Sequence, residues 1–234
     1  MNDNHELEML LKELKCKILL ADITPSDRKA VLNFLKDENQ ARKDYRLQRL
    51  LATCGIPKYH MRTFDQLQWH FNPKIPQEQI MAFKNSPWIE HGHNLVLIGD
   101  TGIGKSHIAK ALCYDSICRG HSTYFITVFD LLTRLRKTPY LDNSIAHYGK
   151  NVRVLCLDEL GYVCHKKEET DLLFQIISKR SECLPTIVTS NLPPKEWGSI
   201  FSGPAASAIL DRLSYNGSFL TWEGKSYRLT KLKK

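Results

Sequence analysis

Asn94-Leu-Val-Leu-Ile-Gly-Asp-Thr-Gly-Ile-Gly-Lys-Ser-His-Ile-Ala-Lys-Ala-Leu-Cys-Tyr114 decides the fold of this 234-residue chain. Its apolar start, Leu95 to Ile98, reads as a short buried strand. From Lys105 onward Ile108, Ala111 and Leu112 fall on one face of a helix. Between strand and helix, Gly99–Ser106 satisfies the Walker A pattern of Gly, four residues, then Gly-Lys-Ser. Glycines let a backbone wrap a polyphosphate and aim successive N–H groups at it. The positive end of the helix adds to that field. Gly99, Asp100, Thr101, Gly102, Ile103, Gly104, Lys105, Ser106 and His107 are therefore the candidate nucleotide contacts. Lys105 is expected to reach the β- and γ-phosphates, and Ser106 to hold Mg²⁺.

Outward from this loop, apolar runs alternate with helical patterns. Strands are expected at 94–98, 122–128, 152–157, 185–190 and 218–223, and helices at about 105–118, 129–137, 168–181 and 205–214. Five strands with intervening helices imply an α/β fold built on a five-stranded parallel sheet covered on both faces. The runs at 94–98, 152–157 and 185–190 are almost wholly apolar, as doubly covered strands are.

A Walker A loop alone does not separate GTPases, kinases and ATPases. Val154-Leu-Cys-Leu-Asp-Glu159 is an apolar strand ending in two carboxylates, a Walker B element. Asp158 is expected to serve Mg²⁺ through its water shell, and Glu159 to orient and deprotonate an attacking water. Asp158-Glu-Leu-Gly161 also fits a GTPase switch, but the Asn-Lys-x-Asp base-recognition motif of GTPases is missing downstream. Thr186-Ile-Val-Thr-Ser-Asn191 is a strand whose C-terminal end falls beside the Walker loops in a parallel sheet. Asn191 is there the candidate sensor of γ-phosphate or water, or else merely turns the chain before Leu192-Pro193-Pro194. Arg212, on the helical segment Ala208–Leu213, lies too late in the chain for the cradle. It is read as an arginine finger toward a neighbouring subunit, in a head-to-tail contact that closes a ring or continues as a spiral. The competing reading is an internal pair involving Asp211.

The first 55 residues read as helical, with Leu7, Leu10, Leu11, Leu14, Ile18 and Leu19 at helical spacing. Thr24-Pro-Ser-Asp27 supplies an N-cap signal, and Val31, Leu32, Phe34 and Leu35 an apolar face. Arg42, Arg46 and Arg49 then share one face, either a solvated stripe or a grip on a phosphate backbone. Cys54-Gly-Ile-Pro57 stops the helices, so a helical domain over 1–60 is expected ahead of the nucleotide-binding domain, 61–234. Residues 61–93 read as a linker with one short helix from Gln77 to Phe83.

Hydrophobic residues make up 42% and charged residues 25%, ordinary values for a globular chain. No apolar run approaches a membrane span, and Met1–Glu6 lacks a signal-peptide pattern, so a cytoplasmic protein with no membrane partner is expected. Seven cysteines without a Cys-x-x-Cys pair suit that compartment. Cys164-His165 has no second pair at metal-binding spacing. The net charge of +8 favours a polyanionic partner. Residues 221–234 carry Lys225, Arg228, Lys231, Lys233 and Lys234 against Glu223 alone.

Taken together, Gly99–Ser106, Leu157–Tyr162, Leu173–Arg180, Thr186–Pro193 and Ala208–Leu213 resemble the IstB-like family, and Lys195-Glu-Trp197 and Ser226-Tyr-Arg-Leu229 extend the likeness over about residues 30–230. These are AAA+ helper ATPases of insertion-sequence transposition, related to DnaC-type helicase loaders. The resemblance implies an AAA+ P-loop core that uses ATP and Mg²⁺, oligomerises on double-stranded DNA and delivers it to a cognate transposase. It matches Gly99, Gly104, Lys105 and Ser106 to Walker A, Asp158 and Glu159 to Walker B, Asn191 to the first sensor and Arg212 to the arginine-bearing motif. For DNA contact it directs attention to Arg134, Arg136 and Lys137, then to Arg42, Arg46 and Arg49, then to the Lys231–Lys234 tail. Two readings of other classes share the motifs: a DnaC-like helicase loader, and an adaptor that holds ATP without turnover. Asp100 stands where the family usually has Pro and puts a carboxylate near the polyanion. The residues after Arg212 suffice for one strand and a tail, so no full C-terminal lid is expected, and Arg228 is a candidate second sensor without a lid to carry it.

Overall fold

The computed structural model describes residues 3–161, 166–201 and 205–231, with residues 230 and 231 described by their backbone alone. Tyr162, Cys164, His165, Lys233 and Lys234 lie outside these ranges. Each expected strand is present: β1 (Asn94–Ile98), β2 (Thr123–Thr127), β3 (Val154–Leu160), β4 (Thr186–Ser190) and β5 (Gly217–Thr221). All pairings are parallel, in the order β2-β3-β4-β1-β5. The helices that follow the strands are α4 (Lys105–Cys118), α5 (Val128–Lys137), α6 (Leu141–Ala146), α7 (Lys167–Arg180) and α8 (Ala205–Ser214). They are preceded by α1 (Asp3–Glu13), α2 (Arg28–Thr53) and α3 (Gln77–Asn85), and the described chain ends in α9 (Tyr227–Lys231).

The strand order has one consequence for function. β4 sits between β1 and β3, so its C-terminal end lies between the glycine loop after β1 and the carboxylates of β3. Ser190 pairs with Ile98 on one side and with Leu160 on the other. Asn191 is therefore level with the start of the loop. β1 and β4 are fully buried and β3 is buried but for Glu159, and Val96, Leu155, Leu157 and Val188 share one core with Leu131, Ile176 and Ile209 of the helices. Each such side chain contributes about 1.5–3 kcal/mol by leaving water.

Strand limits depart from the periodicity for local reasons. β2 stops at Thr127 because that hydroxyl caps α5, accepting from the Asp130 N–H at 3.0 Å. β3 runs on to Leu160 through an irregularity: it takes three residues from Leu157 to Leu160 where β4 takes two from Val188 to Ser190. The extra residue is a bulge containing Asp158 and Glu159.

Arg180 closes the opposite end of the sheet. It is buried, and its guanidinium donates to the carbonyls of Tyr148, Val152, Arg153 and Pro185 and to Thr186 Oγ1. Burial, with Arg153 nearby, lowers its pKa to about 9.

The chain divides into two compact units, Met1–Arg49 and Leu50–Lys234. In the first, Leu7, Leu10, Leu11, Ile23, Leu32 and Leu35 form a small core. Two expectations fail there. α1 ends at Glu13, and Ile18 and Leu19 are exposed in the following segment. The stop is a Schellman motif: Lys15 takes φ +56°, and the Cys16 and Lys15 N–H groups return to the carbonyls of Leu11 and Lys12. A lysine in that place gives no sequence signal, because glycine is the usual occupant. Phe34, assigned to the apolar face, is exposed, while Leu32 and Leu35 turn inward.

Candidate functional site

The glycine loop is built to approach a ligand closely. Gly99, Gly102 and Gly104 have φ of +144°, +83° and +105°, which only glycine adopts readily. Gly104 ends the loop in the left-handed region and starts α4, so the unpaired N–H groups of the first turn face the loop. Lys105 is buried, and its ammonium donates to the carbonyls of Gly99 at 2.5 Å and Asp100 at 2.7 Å. Burial pushes its pKa down, Asp158 and Asp100 pull it up, and the Arg228 cation pushes it down again. A buried ammonium held only by neutral carbonyls suits an anion, so the loop fits a polyphosphate. Asp100 contributes its carbonyl and is itself exposed. Its carboxylate thus stands at the surface, in water's screening.

The two Walker elements meet directly. Ser106 Oγ donates to Asp158 Oδ1 at 2.8 Å, and the same oxygen accepts from Thr189 Oγ1 at 2.5 Å. Thr189 Oγ1 also accepts the Glu159 N–H at 3.0 Å. Glu159 takes φ +62°, a conformation costing about 1–3 kcal/mol for a residue with a side chain, and its side chain is exposed. The bulge therefore buries Asp158 against Ser106 and turns its neighbour outward. Thr189 is the residue that sequence reasoning missed. The available signal was a hydroxyl inside an apolar, doubly covered strand, where it must find a partner. Asn191 Oδ1 is buried without a hydrogen-bond partner among the described residues. It lies against Gly161, where a Cβ would meet it at 2.5 Å.

Beside the loop is a cavity of about 550 Å³. Gly102 to His107 form its floor, and Lys110 extends it. The rest of the wall comes from two segments: Arg62 to Ile75, with apolar Leu67, Phe71 and Ile75, and the C-terminal Tyr227 and Arg228. The stretch expected as a linker is thus a structural wall of the site, folded in short 3-10 turns. His107 Nε2 donates to the Thr63 carbonyl at 2.9 Å, which fastens α4 to this wall. Ring burial keeps the His107 pKa below its ordinary value.

Arg212 is not among the cavity's lining residues. The next residue, Leu213, accepts from Asn94 Nδ2 at 3.3 Å, so Arg212 sits at the start of β1. The loop lies at the other end of that strand, about 13 Å away at ~3.3 Å per residue. Neither Asp211 nor Arg212 makes an ion pair among the described residues. Of the basic residues singled out for DNA, Arg134 bonds the Tyr124 hydroxyl, Arg136 pairs with the buried Glu169 at 2.8 Å, and Lys137 is exposed. Arg42 pairs with Glu38 at 2.6 Å, and Arg46 and Arg49 are exposed on the same helix. Among the described residues no helix is long and apolar enough to cross a membrane.

A parallel sheet of this order, with a glycine-lysine-serine loop after β1, next to the central β4, defines an AAA+ P-loop fold. The chain belongs to the IstB-like ATP binding protein family, whose model matches residues 5–234. It is 30% identical over 242 residues to the protein named as the ATP-binding protein of insertion sequence IS232 in Bacillus thuringiensis subsp. berliner, covering 97% of this chain and 96% of that one. It is 31% identical over 244 residues to its counterpart from IS21 of Pseudomonas aeruginosa, covering 98% and 91%. Among solved structures, the DnaI crystal structure superposes with a TM-score of 0.60 at 22% identity, covering 70% of this chain and 89% of that one, a likeness of fold.

Proposed function

We propose that the chain binds ATP with Mg²⁺ in this cavity, hydrolyses it, and serves insertion-sequence transposition as a DNA-binding helper. The observation that carries the reading is the junction of Ser106 Oγ and Asp158 Oδ1 at 2.8 Å. A hydroxyl and a carboxylate oxygen, one from each Walker element and this close together, support a reading in which Ser106 holds a hard cation and Asp158 serves it through its water shell. Mg²⁺ bound there supplies neutralisation of phosphate charge. Lys105 exchanges its two loop carbonyls for phosphate oxygens, and the first N–H groups of α4 bind the others. Glu159, turned outward by the bulge, takes a proton from the attacking water at its carboxylate. Asn191, level with the loop, orients that water.

Arg212 is too far from its own loop to touch the same nucleotide. It acts on ATP held by a neighbouring copy, which makes the site a shared one and the assembly head-to-tail, a ring or a spiral. DNA binds through phosphate contacts, without sequence readout and with strong salt dependence. Arg134, Arg136 and Lys137 of the larger unit, and separately Arg42, Arg46 and Arg49 of the smaller, are the candidates for those contacts. Names of the relatives place them with insertion sequences, and delivery of target DNA to a transposase is the role this suggests here.

Titration with a fluorescent ATP analogue tests the site. Lys105→Ala is expected to abolish binding, and an unchanged affinity would remove the assignment. A mobility-shift assay with duplex DNA and a non-hydrolysable ATP analogue tests the partner. Failure to shift DNA even at low salt would dismiss the helper reading.

A further inference from the structure

The segment from Trp222 to Arg228 follows the last strand and belongs to none of the Walker elements. It nevertheless touches the glycine loop at both of its ends, through Trp222 and through Ser226 and Tyr227. The Trp222 N–H donates to the Ile98 carbonyl at 3.2 Å and its indole Nε1 to the Ile103 carbonyl at 3.3 Å. The Tyr227 N–H donates to the Gly102 carbonyl at 3.0 Å. There is no clearance between the two. A Cβ on Gly99 would lie 2.0 Å from the Trp222 carbonyl oxygen, and one on Gly102 would lie 2.1 Å from Ser226 Oγ.

The other side of the segment is tied to the cavity wall. Asn72 Nδ2 donates to the Glu223 carbonyl at 3.1 Å, and Lys74 pairs with the Glu223 carboxylate at 3.2 Å. Gly224 is there because a Cβ would come within 2.2 Å of Asn72 Nδ2. Tyr227 stacks edge-on against Phe71, with ring centroids 4.9 Å apart. Tyr227 and Arg228 both line the cavity.

We infer that Trp222–Arg228 is a nucleotide-binding strap, with Tyr227 packing at the apolar end of the bound nucleoside triphosphate and Arg228 contacting its polyphosphate. Because the strap shares two hydrogen bonds with the loop, a third with Ile98 just before it, and no slack, neither moves alone. Occupancy of the loop is thereby passed to the C-terminal end of the chain. This rests on the reading of the cavity as the ATP site; beyond Arg228, the candidate second sensor, it assigns Tyr227 and the strap itself to nucleotide binding, in place of a lid.

Two measurements on the full chain test it. Hydrogen exchange of the peptide covering 222–229 is compared with and without a non-hydrolysable ATP analogue. Nucleotide is expected to slow exchange at the Tyr227 amide about tenfold or more. Affinity for a fluorescent ATP analogue is then measured for Gly224→Val, which forces the strap off Asn72, and for Arg228→Ala. Arg228 is exposed, so its loss leaves the fold intact. Each variant is expected to bind about tenfold more weakly, the scale of one charge-assisted hydrogen bond. Strap exchange that ignores nucleotide, or wild-type affinity in both variants, overturns the inference. If Lys105→Ala abolishes binding while those two leave it untouched, the site stands and the strap falls. If the wild-type chain binds no nucleotide, both fall together.

Discussion

Thr189→Val removes one buried hydroxyl and keeps the shape of the side chain. In the folded chain that hydroxyl donates to Asp158 Oδ1 at 2.5 Å and accepts the Glu159 N–H at 3.0 Å. Losing a hydrogen bond to an ionised carboxylate costs about 1.5–3 kcal/mol, and an unpaired N–H costs about 1–3 kcal/mol. A net loss of about 3 kcal/mol follows, since valine recovers some apolar burial. At ~3 °C per kcal/mol for a unit of this size, melting should fall by about 9 °C. The functional effect should be larger than the structural one. The Glu159 peptide is held at φ +62° by this bond, and a carboxylate displaced by about 1 Å loses roughly 100-fold in rate. Phosphate release should therefore drop about 100-fold, while affinity for a fluorescent ATP analogue changes less than about threefold. Thr189→Ser keeps the hydroxyl and should recover most of the rate. Wild-type turnover in Thr189→Val would refute the positioning role. So would a loss of binding that matches Lys105→Ala.

Arg180→Met should be the most destabilising single change in the larger unit, by about 4 kcal/mol, since four carbonyls and Thr186 lose their donor. Urea unfolding checks this, and Arg180→Lys should not rescue it because an ammonium cannot span the same acceptors. His93 and His147 are held below the ordinary pKa of 6.5 chiefly by burial. The unfolded chain then binds more protons between the folded and ordinary values, so stability should fall as pH drops through about 6.5. The unfolding midpoint at pH 5.5 against 7.5 reads this out, and His93→Gln should flatten part of the slope.

Much of the core was legible because its signals are local. β1 appears at the residues expected, since four successive apolar residues before a glycine loop admit few other readings. The Walker pair was legible for the same reason, and Ser106 and Asp158 do meet. What escaped depends on neighbours in space. The order that puts β4 between β1 and β3 leaves no trace in any one strand. The bulge at Asp158-Glu159 exists only relative to β4, and Thr189 acquires its role through that bulge. Residues 62–76 carry Pro73, Pro76 and mixed polarity, which read as a linker, yet Leu67, Phe71 and Ile75 line one cavity together. Asp100 gives the loop a carbonyl for Lys105 that no motif announces, while its carboxylate still acts on that same ammonium.

The central claim is a site completed by a second copy, because Arg212 stands at the wrong end of β1 to serve its own loop. Its direct test is ATP turnover by an equimolar mixture of Arg212→Ala and Glu159→Gln chains, each inactive alone. A subunit with intact Glu159 can then face one with intact Arg212. The account predicts that the mixture regains a substantial fraction of wild-type phosphate release. Turnover no greater than that of the separate variants would contradict it.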